Sequence, residues 1–314
     1  MRVDGVWWLG PGDSSPEIRK IKAFMRHKFS TYAGQLPDTD DYDQATFDAV
    51  SEMQRRYRLP VNGLIGYSTK VRMGYLAPPP KPALLTVNGA GVDMWTGPQA
   101  DIARAVEDLY YWQPIGYDSK PVPMAPGVAQ ARAEIGVQVD RHPGELNAVV
   151  YSEGALAFSQ FVKYDMLPDG APYRHRLRDL RRVVAIGNPY RERGVVWVVD
   201  DSPAPPGSQG ISDDRLSGTP DWWRELAHKG DIYAANEVSD AGEWKSSIYK
   251  IVQGQWTGGV DSMLSQLIEF VGNPFGEGWA AAQAIISGIG FAASGTGPHV
   301  NYPTQQAIDY LRAR

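Results

Sequence analysis

Hydrophobic residues recur at helical spacing over the first 76 residues of the chain. A first helix is predicted after residues 14–17, whose sequence Ser-Ser-Pro-Glu has the form of a capping box with proline in the first turn. A second helix is predicted from Asp43, and Ser68-Thr69 is suited to cap a third, short helix. The positions that share a helix face are Ile18, Ile21, Met25 and Phe29, then Phe47, Val50, Gln54 and Tyr57. The pattern predicts a small all-α three-helix module at residues 1–76.

From residue 84 onwards, short apolar runs typical of strands alternate with helical patterns. Strands are predicted at residues 84–91, 146–151, 183–187 and 195–199, and helices at residues 99–112, from Gly154, at residues 222–226 and from Thr304. This alternation favours an α/β fold with a mostly parallel sheet covered on both faces. The proline-rich run at residues 77–83 predicts a stiff linker, so residues 84–314 are expected to form the second domain.

Residues 240–295 add two further helical patterns to this second domain. Met263, Leu267 and Phe270 predict one amphipathic helix, and residues 279–293 predict another. Two interpretations stay open, a helical insertion packed on the core or a lid that binds an acyl chain. Amphipathic stripes usually face a core, whereas each methylene that a lid buries would add ~0.8 kcal/mol to acyl binding. The stretch 279–293 is shorter than the ~20 residues that span a bilayer, so no integral membrane segment is expected.

Composition and charge narrow the class of protein. The 314 residues are 43% hydrophobic and 21% charged, as in a globular protein, and carry a formal net charge of −5. Nucleic acid is therefore not expected as a partner, because its binding needs a clustered excess of basic residues. The lack of cysteine excludes disulfides, thiolate nucleophiles and cysteine-based zinc sites. Gly10 and Pro11 interrupt the N-terminal stretch before an apolar core of signal-peptide length develops, so no signal peptide is expected.

Ser152 lies where the strand pattern of residues 146–151 changes to a helical pattern. A sharp strand-to-helix turn around a serine is the nucleophile elbow of α/β-hydrolases, written Gly-x-Ser-x-Gly. Gly154 keeps the second glycine, but Val150 replaces the first, which predicts a wider elbow. The backbone N–H of Glu153 is the predicted oxyanion donor. The alternative interpretation is a serine that only caps a helix.

A second oxyanion donor is expected from the turn that follows the first strand. This turn is Gly-Ala-Gly at residues 89–91, and Ala90 is the predicted donor. Glycine-rich turns also bind phosphate. The spacing here matches neither Gly-x-Gly-x-x-Gly nor a P-loop, so no nucleotide site is expected.

A serine nucleophile needs a histidine base that is oriented by a carboxylate. In α/β-hydrolases the chain order is serine, acid, histidine, which leaves His175, His228 and His299 after Ser152. His175 lies in a charged run typical of a solvated face, and His228 precedes the expected acid. His299, in a Gly-Pro-rich loop before the last helix, is the predicted base.

The predicted acid is Asp231, which opens an apolar stretch after the aromatic helix pattern at residues 222–226. Asp200 and Asp201 follow the strand predicted at residues 195–199 and are its rivals. Ser152, Asp231 and His299 together predict acyl transfer by a serine esterase, with no cofactor and no metal required.

The N-terminal module resembles the peptidoglycan-binding module of cell-wall hydrolases. The matching residues are Ser15-Pro16, Tyr42-Asp43, Thr46, Ala49-Val50, Met53-Gln54, Asn62-Gly63, Gly66 and Thr69. The resemblance implies peptidoglycan as a partner of residues 1–76. An all-helical packing module without a ligand is the alternative.

The second domain resembles cutinase-like serine esterases, in which a Gly-Asp-x-Val motif carries the acid and a Pro-His-x-x-Tyr motif carries the base. The corresponding residues are Gly230-Asp231-Ile232 and Pro298-His299-Val300-Asn301-Tyr302. With Asn88-Gly89, the sequence Ile-Gly-Asn-Pro at residues 186–189 and the N-terminal module, the chain resembles the mycobacteriophage lysin B family. This resemblance implies a cutinase-like α/β-hydrolase fold.

The resemblance to lysin B also implies a substrate and a place of action. The implied reaction is hydrolysis of the ester that joins mycolic acids to arabinogalactan, so mycolyl-arabinogalactan or another long-chain acyl ester is the expected substrate. A protein of this family would be made in the cytoplasm of the infected host and would act at the cell envelope.

Three alternative functions stay open. A general lipase or cutinase would use the same chemistry with a different acyl pocket. A wall-binding phage protein with an inactive hydrolase domain is kept open by Val150. A peptidoglycan amidase or muramidase would need a zinc cluster or paired acids, and neither occurs at suitable spacing in the sequence.

Overall fold

The computed structural model describes residues 2–3, 6–77, 81–120, 123–254, 265–270, 272, 279, 282–283, 285 and 297–313. Their contacts divide the chain into two compact units, Met1–Pro80 and Lys81–Arg314. Among these residues, no helix is both long enough and apolar enough to cross a bilayer.

The first unit is a small helical module with one short hairpin. Its elements are β1 (Arg2–Val3), β2 (Val6–Trp7), α1 (Pro16–Lys28), α2 (Ser30–Ala33), α3 (Gln44–Arg56) and α4 (Tyr67–Arg72). Ser15 caps α1 and Asp43 caps α3 by accepting backbone N–H groups, and the predicted apolar faces form a common core. The helical module is therefore confirmed. The predicted cap of α4 is wrong, because this helix begins at Tyr67 after Gly66.

The second unit is an α/β domain. Its strands are β3 (Ala83–Val87), β4 (Tyr111–Pro114), β5 (Leu146–Tyr151), β6 (Leu180–Ile186) and β7 (Trp223–Leu226). Its helices are α5 (Pro98–Ala105), α6 (Met124–Arg141), α7 (Glu153–Gln160), α8 (Asp240–Gln253) and α9 (Gln305–Arg312). A π-helical turn, Phe161–Met166, continues α7, and a 3₁₀ helix, Arg174–Asp179, precedes β6.

The five strands form one parallel sheet in the order β4-β3-β5-β6-β7. Successive residues of β5 are buried on opposite faces, so Ala148 and Val150 join the core beneath α6 and α7, whereas Val149 and Tyr151 join the core beneath α5 and α9. Both faces are therefore covered, and the α/β prediction is confirmed. The central position of β5 places the residue after Tyr151 at the carboxyl edge of the sheet, where such folds bind their ligands.

Three predicted elements differ from the structure. The helix predicted at residues 99–112 ends at Ala105, because Tyr111–Pro114 instead pairs with β3 as an edge strand. Residues 222–226, predicted as helical, contain strand β7, which pairs with β6. The strand predicted at residues 195–199 is a loop in which Trp197 donates a backbone hydrogen bond to Glu225 on β7. Aromatic and β-branched residues favour strands, but only pairing with a neighbouring strand decided which of these runs form one.

The segment predicted as an insertion or a lid begins with α8. Residues 265–270 are also helical, with Leu267 fully buried and Phe270 43% exposed and stacked on Trp244. Met263 and nearly all of the pattern at residues 279–293 lie outside the described residues.

Candidate active site

Ser152 occupies a strained turn between β5 and α7. Its φ of +55° and ψ of −117° are unusual for a residue other than glycine, and such backbone strain is often found at functional sites. The backbone N–H of Ser152 donates to the carbonyl of Ile186 at the end of β6, over 2.9 Å. The turn therefore holds the serine at the carboxyl edge of the sheet in the geometry of a nucleophile elbow.

The two residues that flank the elbow at the motif positions have different roles. A Cβ atom on Gly154 would lie 2.5 Å from the carbonyl oxygens of Val87 and Asn88, so only glycine lets α7 approach β3 this closely. Val150 is fully buried within β5, next to Val87 and Ala185 of the neighbouring strands. Its side chain belongs to the core beneath α6 and α7.

A continuous chain of hydrogen bonds connects Ser152, His299 and Asp231. The Oγ atom of Ser152 lies 2.7 Å from Nε2 of His299, and Nδ1 of His299 lies 2.8 Å from Oδ2 of Asp231. The His299 side chain is 11% exposed and that of Asp231 is 0% exposed. The three residues come from the end of β5, a loop after β7 and the turn before α9, so only the fold brings them together.

Asp231 is surrounded by hydrogen-bond donors. The backbone N–H groups of Tyr233 and Ala234 donate to Oδ1 over 2.9 and 3.1 Å, and the Tyr302 hydroxyl donates to Oδ2. Burial by itself would raise the pKa of Asp231, but the nearby His299 and these hydrogen bonds lower it overall. Asp231 therefore remains ionised within the protein interior.

Both residues predicted to supply oxyanion donors lie next to the nucleophile. Glu153 is the first residue of α7, where backbone N–H groups have no acceptor within the helix. The turn around Ala90 packs on the elbow, because a Cβ atom on Gly89 would lie 3.0 Å from Cβ of Ser152. In this turn the N–H of Gly91 donates to Ser119 and that of Val92 to Gly89, so neither supplies the second oxyanion donor.

The side chain of Glu153 is buried beside the elbow. Glu153 is 1% exposed, and neither oxygen of its carboxyl group has a hydrogen-bond partner among the described residues. Burial, with a smaller contribution from Asp118, raises the pKa of Glu153 to about 8. Nothing in the local sequence pattern indicates that a glutamate at this helix start would be buried, so only the backbone N–H of Glu153 is predicted to take part in the site.

Several aromatic residues hold the base and the acid in place, although the sequence pattern predicts no role for them. Tyr151 stacks on the ring of His299 and donates its hydroxyl to the His299 carbonyl over 3.0 Å. The ring of Tyr233 lies 4.7 Å from that of His299. Tyr302 is the last residue of the Pro-His-x-x-Tyr motif, but the motif does not predict its hydrogen bond to Asp231, which only the tertiary structure shows.

The rival candidates lie outside this chain of hydrogen bonds. Asp200 pairs with His228, with 2.7 Å between Oδ2 and Nε2, and His228 stacks on Tyr302 behind the acid. Asp201 and His175 are exposed. Across the described ranges, no group of three or more histidine or acidic side chains has the arrangement of a metal site.

Comparison with known proteins places the chain in a family. Residues 14–73 match the family described as "Putative peptidoglycan binding domain". Endolysin B of Mycobacterium phage D29 is 37% identical over 253 residues, covering 74% of this chain and 98% of that protein, and Endolysin B of Mycobacterium phage L5 is 37% identical over 254 residues with the same coverage. The crystal structure of lysin B from mycobacteriophage D29 is similar, with a TM-score of 0.64 and 36% identity over 74% of this chain and 99% of that one. The chain therefore belongs to the endolysin B family of mycobacteriophages and is a serine esterase of phage lysis.

Proposed function

We propose that the protein hydrolyses the ester bond between mycolic acids and arabinogalactan, with Ser152 as nucleophile, His299 as base and Asp231 as the orienting acid. The observation that carries this proposal is the continuous chain of hydrogen bonds, with distances of 2.7 and 2.8 Å, that starts at a serine in a strained strand-to-helix turn. Membership of the endolysin B family supports the choice of substrate.

In the first step, Ser152 Oγ attacks the ester carbonyl while Nε2 of His299 accepts the hydroxyl proton. The buried carboxylate of Asp231 accepts a hydrogen bond from Nδ1–H, which leaves Nε2 unprotonated and directed at the serine. The same carboxylate stabilises the imidazolium that forms. Its lowered pKa keeps it ionised for this purpose at neutral pH.

The negative charge that develops on the carbonyl oxygen is stabilised by backbone donors. We assign these to the N–H of Glu153 at the start of α7 and the N–H of Ala90 in the adjacent turn. Each such donor is worth about 3 kcal/mol in other serine hydrolases. The helix start adds a favourable dipole to the same position.

Collapse of the tetrahedral intermediate breaks the bond to the sugar oxygen, which takes the proton from His299 and leaves as an alcohol. The acyl group stays on Ser152 as an ester. Water then attacks this acyl-enzyme, with His299 again accepting a proton, and the fatty acid is released. No further reactant is required.

The acyl chain is assigned to the region of α8 and residues 265–270, which would act as a lid over the site. Supporting this, Phe270 exposes 43% of its surface beside Trp244, and Tyr233 donates its hydroxyl to the backbone carbonyl of Ile285. The N-terminal module is assigned to peptidoglycan binding on the basis of its family match at residues 14–73.

The test compares wild type with Ser152→Ala on p-nitrophenyl butyrate and on purified mycolyl-arabinogalactan. Loss of a triad serine costs on the order of 10⁶ in kcat in another serine hydrolase, so both activities should fall to background. Ser202→Ala, which changes an exposed serine, is the matched control and should keep both activities.

The substrates separate the alternatives. A general lipase or cutinase would cleave p-nitrophenyl butyrate but release no mycolate from the wall polymer. An inactive hydrolase domain would cleave neither ester even as wild type. Either result would reject the proposed substrate, and the second would also reject the catalytic assignment.

A further inference from the structure

A cavity of about 550 Å³ lies in the α/β domain at the amino ends of β6 and β7, whereas Ser152 lies at the carboxyl ends of the strands. Its lining includes Leu180, the first residue of β6, and Trp223, the first residue of β7. Ser152 follows the other end of the parallel sheet, where its N–H bonds to Ile186 at the end of β6. The seven residues of β6, at ~3.3 Å each, separate the cavity from the nucleophile by about 20 Å, so the cavity is not part of the catalytic site.

The inner wall of this cavity is apolar. It is formed by leucine, valine and tryptophan side chains, with Leu180 4% exposed, Leu216 6% exposed and Trp223 3% exposed. Its volume lies within the range of about 300–1,000 Å³ that is usual for small-molecule sites. A wall of this kind favours the burial of an alkyl chain, since each methylene removed from water contributes ~0.8 kcal/mol.

The charged residues that line the cavity are all arginines, and the nearby carboxylate of Glu192 is occupied by hydrogen bonds from the backbone N–H groups of Gly218 and Thr219. Arg174, Arg178 and Arg181 line the cavity, and none of its fourteen lining residues is acidic. Arg174 has one carboxylate nearby, 3.6 Å away on the fully exposed Asp169. Arg178 and Arg181 form no ion pair with any described residue. This concentration of cations is unexpected in a chain of net charge −5 and favours an anionic head group.

We propose that this cavity binds an amphiphile with a carboxylate head group and an alkyl chain, with the head group at the three arginines and the chain against the leucines and tryptophans. Guanidinium groups bind carboxylates through two parallel hydrogen bonds, which suits this head group. The ligand is of the chemical class that hydrolysis of a fatty-acyl ester releases. Binding itself does not depend on the substrate proposed for Ser152.

The test measures binding of decanoate to the full-length protein by isothermal titration calorimetry, below the concentration at which decanoate forms micelles. Arg178→Ala/Arg181→Ala should weaken binding at least about tenfold, because charge-assisted hydrogen bonds are lost. Arg141→Ala/Arg193→Ala removes two exposed arginines outside the cavity and should bind as wild type does. Equal affinity of the Arg178/Arg181 variant and wild type would overturn the proposal, as would no binding by wild type.

Two further comparisons separate head group and chain. Decyltrimethylammonium, whose alkyl chain is one carbon longer and whose charge is opposite, should bind at least about tenfold more weakly than decanoate. Ser217→Trp changes an exposed residue of the lining, so it should fill the cavity without disturbing the core, and it should weaken decanoate binding with all arginines present. Equal affinity for both amphiphiles, or unchanged binding by Ser217→Trp, would contradict the assigned site.

A covalent block of Ser152 separates this proposal from the catalytic one. Protein whose Ser152 carries a phosphonate should bind decanoate with unchanged affinity, because the cavity lies at the other edge of the sheet. Loss of binding after the block would place decanoate in the active site and overturn the inference. These readouts measure binding alone, so they remain informative even where mycolate release fails.

Discussion

At the scale of single residues, Asp231 stays ionised in the interior because both of its carboxylate oxygens accept hydrogen bonds. Tyr302 is the side-chain hydroxyl donor of these bonds, and its hydroxyl contacts Oδ2 of Asp231 while its ring stacks on His228. It touches neither Ser152 nor the ester in the proposed mechanism. Tyr302 is therefore a positioning residue whose effect should pass through the acid.

We expect Tyr302→Phe to lower kcat/KM for p-nitrophenyl butyrate about tenfold, a change equivalent to about 1.4 kcal/mol. Loss of a hydrogen bond to the ionised form raises the pKa of Asp231, so the acid limb of the pH profile should move to higher pH. Tyr310→Phe, which loses a hydroxyl bond to the Trp222 carbonyl, is the control. A lower rate with an unmoved acid limb would show that Tyr302 acts only by packing.

The raised pKa of Glu153 predicts how the stability of the protein depends on pH. Its pKa is about 8 in the folded protein against an ordinary 4.5, so the folded state holds a proton that the unfolded state has lost between these values. Stability should therefore fall as pH rises from about 4.5 to 8, with the full loss present above pH 8.

Glu153→Gln removes this titration and should gain stability relative to wild type as pH rises. Between pH 5 and pH 9 the difference in unfolding free energy should grow by about 3–5 kcal/mol, measured by urea denaturation at each pH. Glu107→Gln, an exposed glutamate, should show no such growth. A constant difference for Glu153→Gln would mean that the carboxyl is solvated or paired in solution.

At the scale of elements, β5 carries both the elbow and part of the core. Val150 stands where the usual hydrolase motif has glycine, yet its side chain is fully buried beneath α6 and α7. The strand therefore reaches the elbow with a full set of core contacts. Activity at Ser152 should not require glycine at this position.

We expect Val150→Gly to destabilise the protein by about 3 kcal/mol, since it removes a buried side chain and adds backbone freedom. The rate per folded molecule on p-nitrophenyl butyrate should be unchanged. Val198→Gly, at a position 63% exposed, should cost less than about 1 kcal/mol. A large gain in rate with Val150→Gly would instead indicate that valine holds the elbow in a less active form.

The strands show how far local pattern predicts an element. The apolar run at residues 146–151 predicts β5 with its observed bounds, because a strand buried on both faces is hydrophobic along its whole length. The helix predicted at residues 222–226 is wrong, because two tryptophans and a leucine fit the helix period and the strand period equally well over so short a run. Residues 223–226 form a strand because they pair with β6, and such pairing depends on residues distant in the chain.

At the scale of the whole molecule, we expect ester hydrolysis and peptidoglycan binding to belong to separate units of the chain. The alignment with Endolysin B of phage D29 covers 98% of that protein but 74% of this chain, so about a quarter of this chain has no counterpart there. Lys81–Arg314 is a compact unit with its own hydrophobic core. Residues 81–314 should therefore fold alone and hydrolyse p-nitrophenyl butyrate at the rate of the full chain.

The same fragment should bind purified mycobacterial peptidoglycan at least about tenfold more weakly than the full chain in a sedimentation assay, because the module matched at residues 14–73 is missing. Cellulose serves as the control for adhesion to insoluble glycans. Equal binding of fragment and full chain to peptidoglycan would reject the proposed role of the module.

By itself, the sequence determined the class of fold, the elbow at Ser152 and the candidates Asp231 and His299, because hydrophobic period, turn residues and short motifs are local properties of a chain. It did not determine the burial of Glu153, the hydrogen bond from Tyr302 to Asp231, or the pairing of Asp200 with His228. Nor did it indicate that three arginines line an apolar cavity at the amino ends of β6 and β7. Those features depend on which residues distant in the chain become neighbours, and burial and neighbouring charge arise only after the sheet and its covering helices have packed.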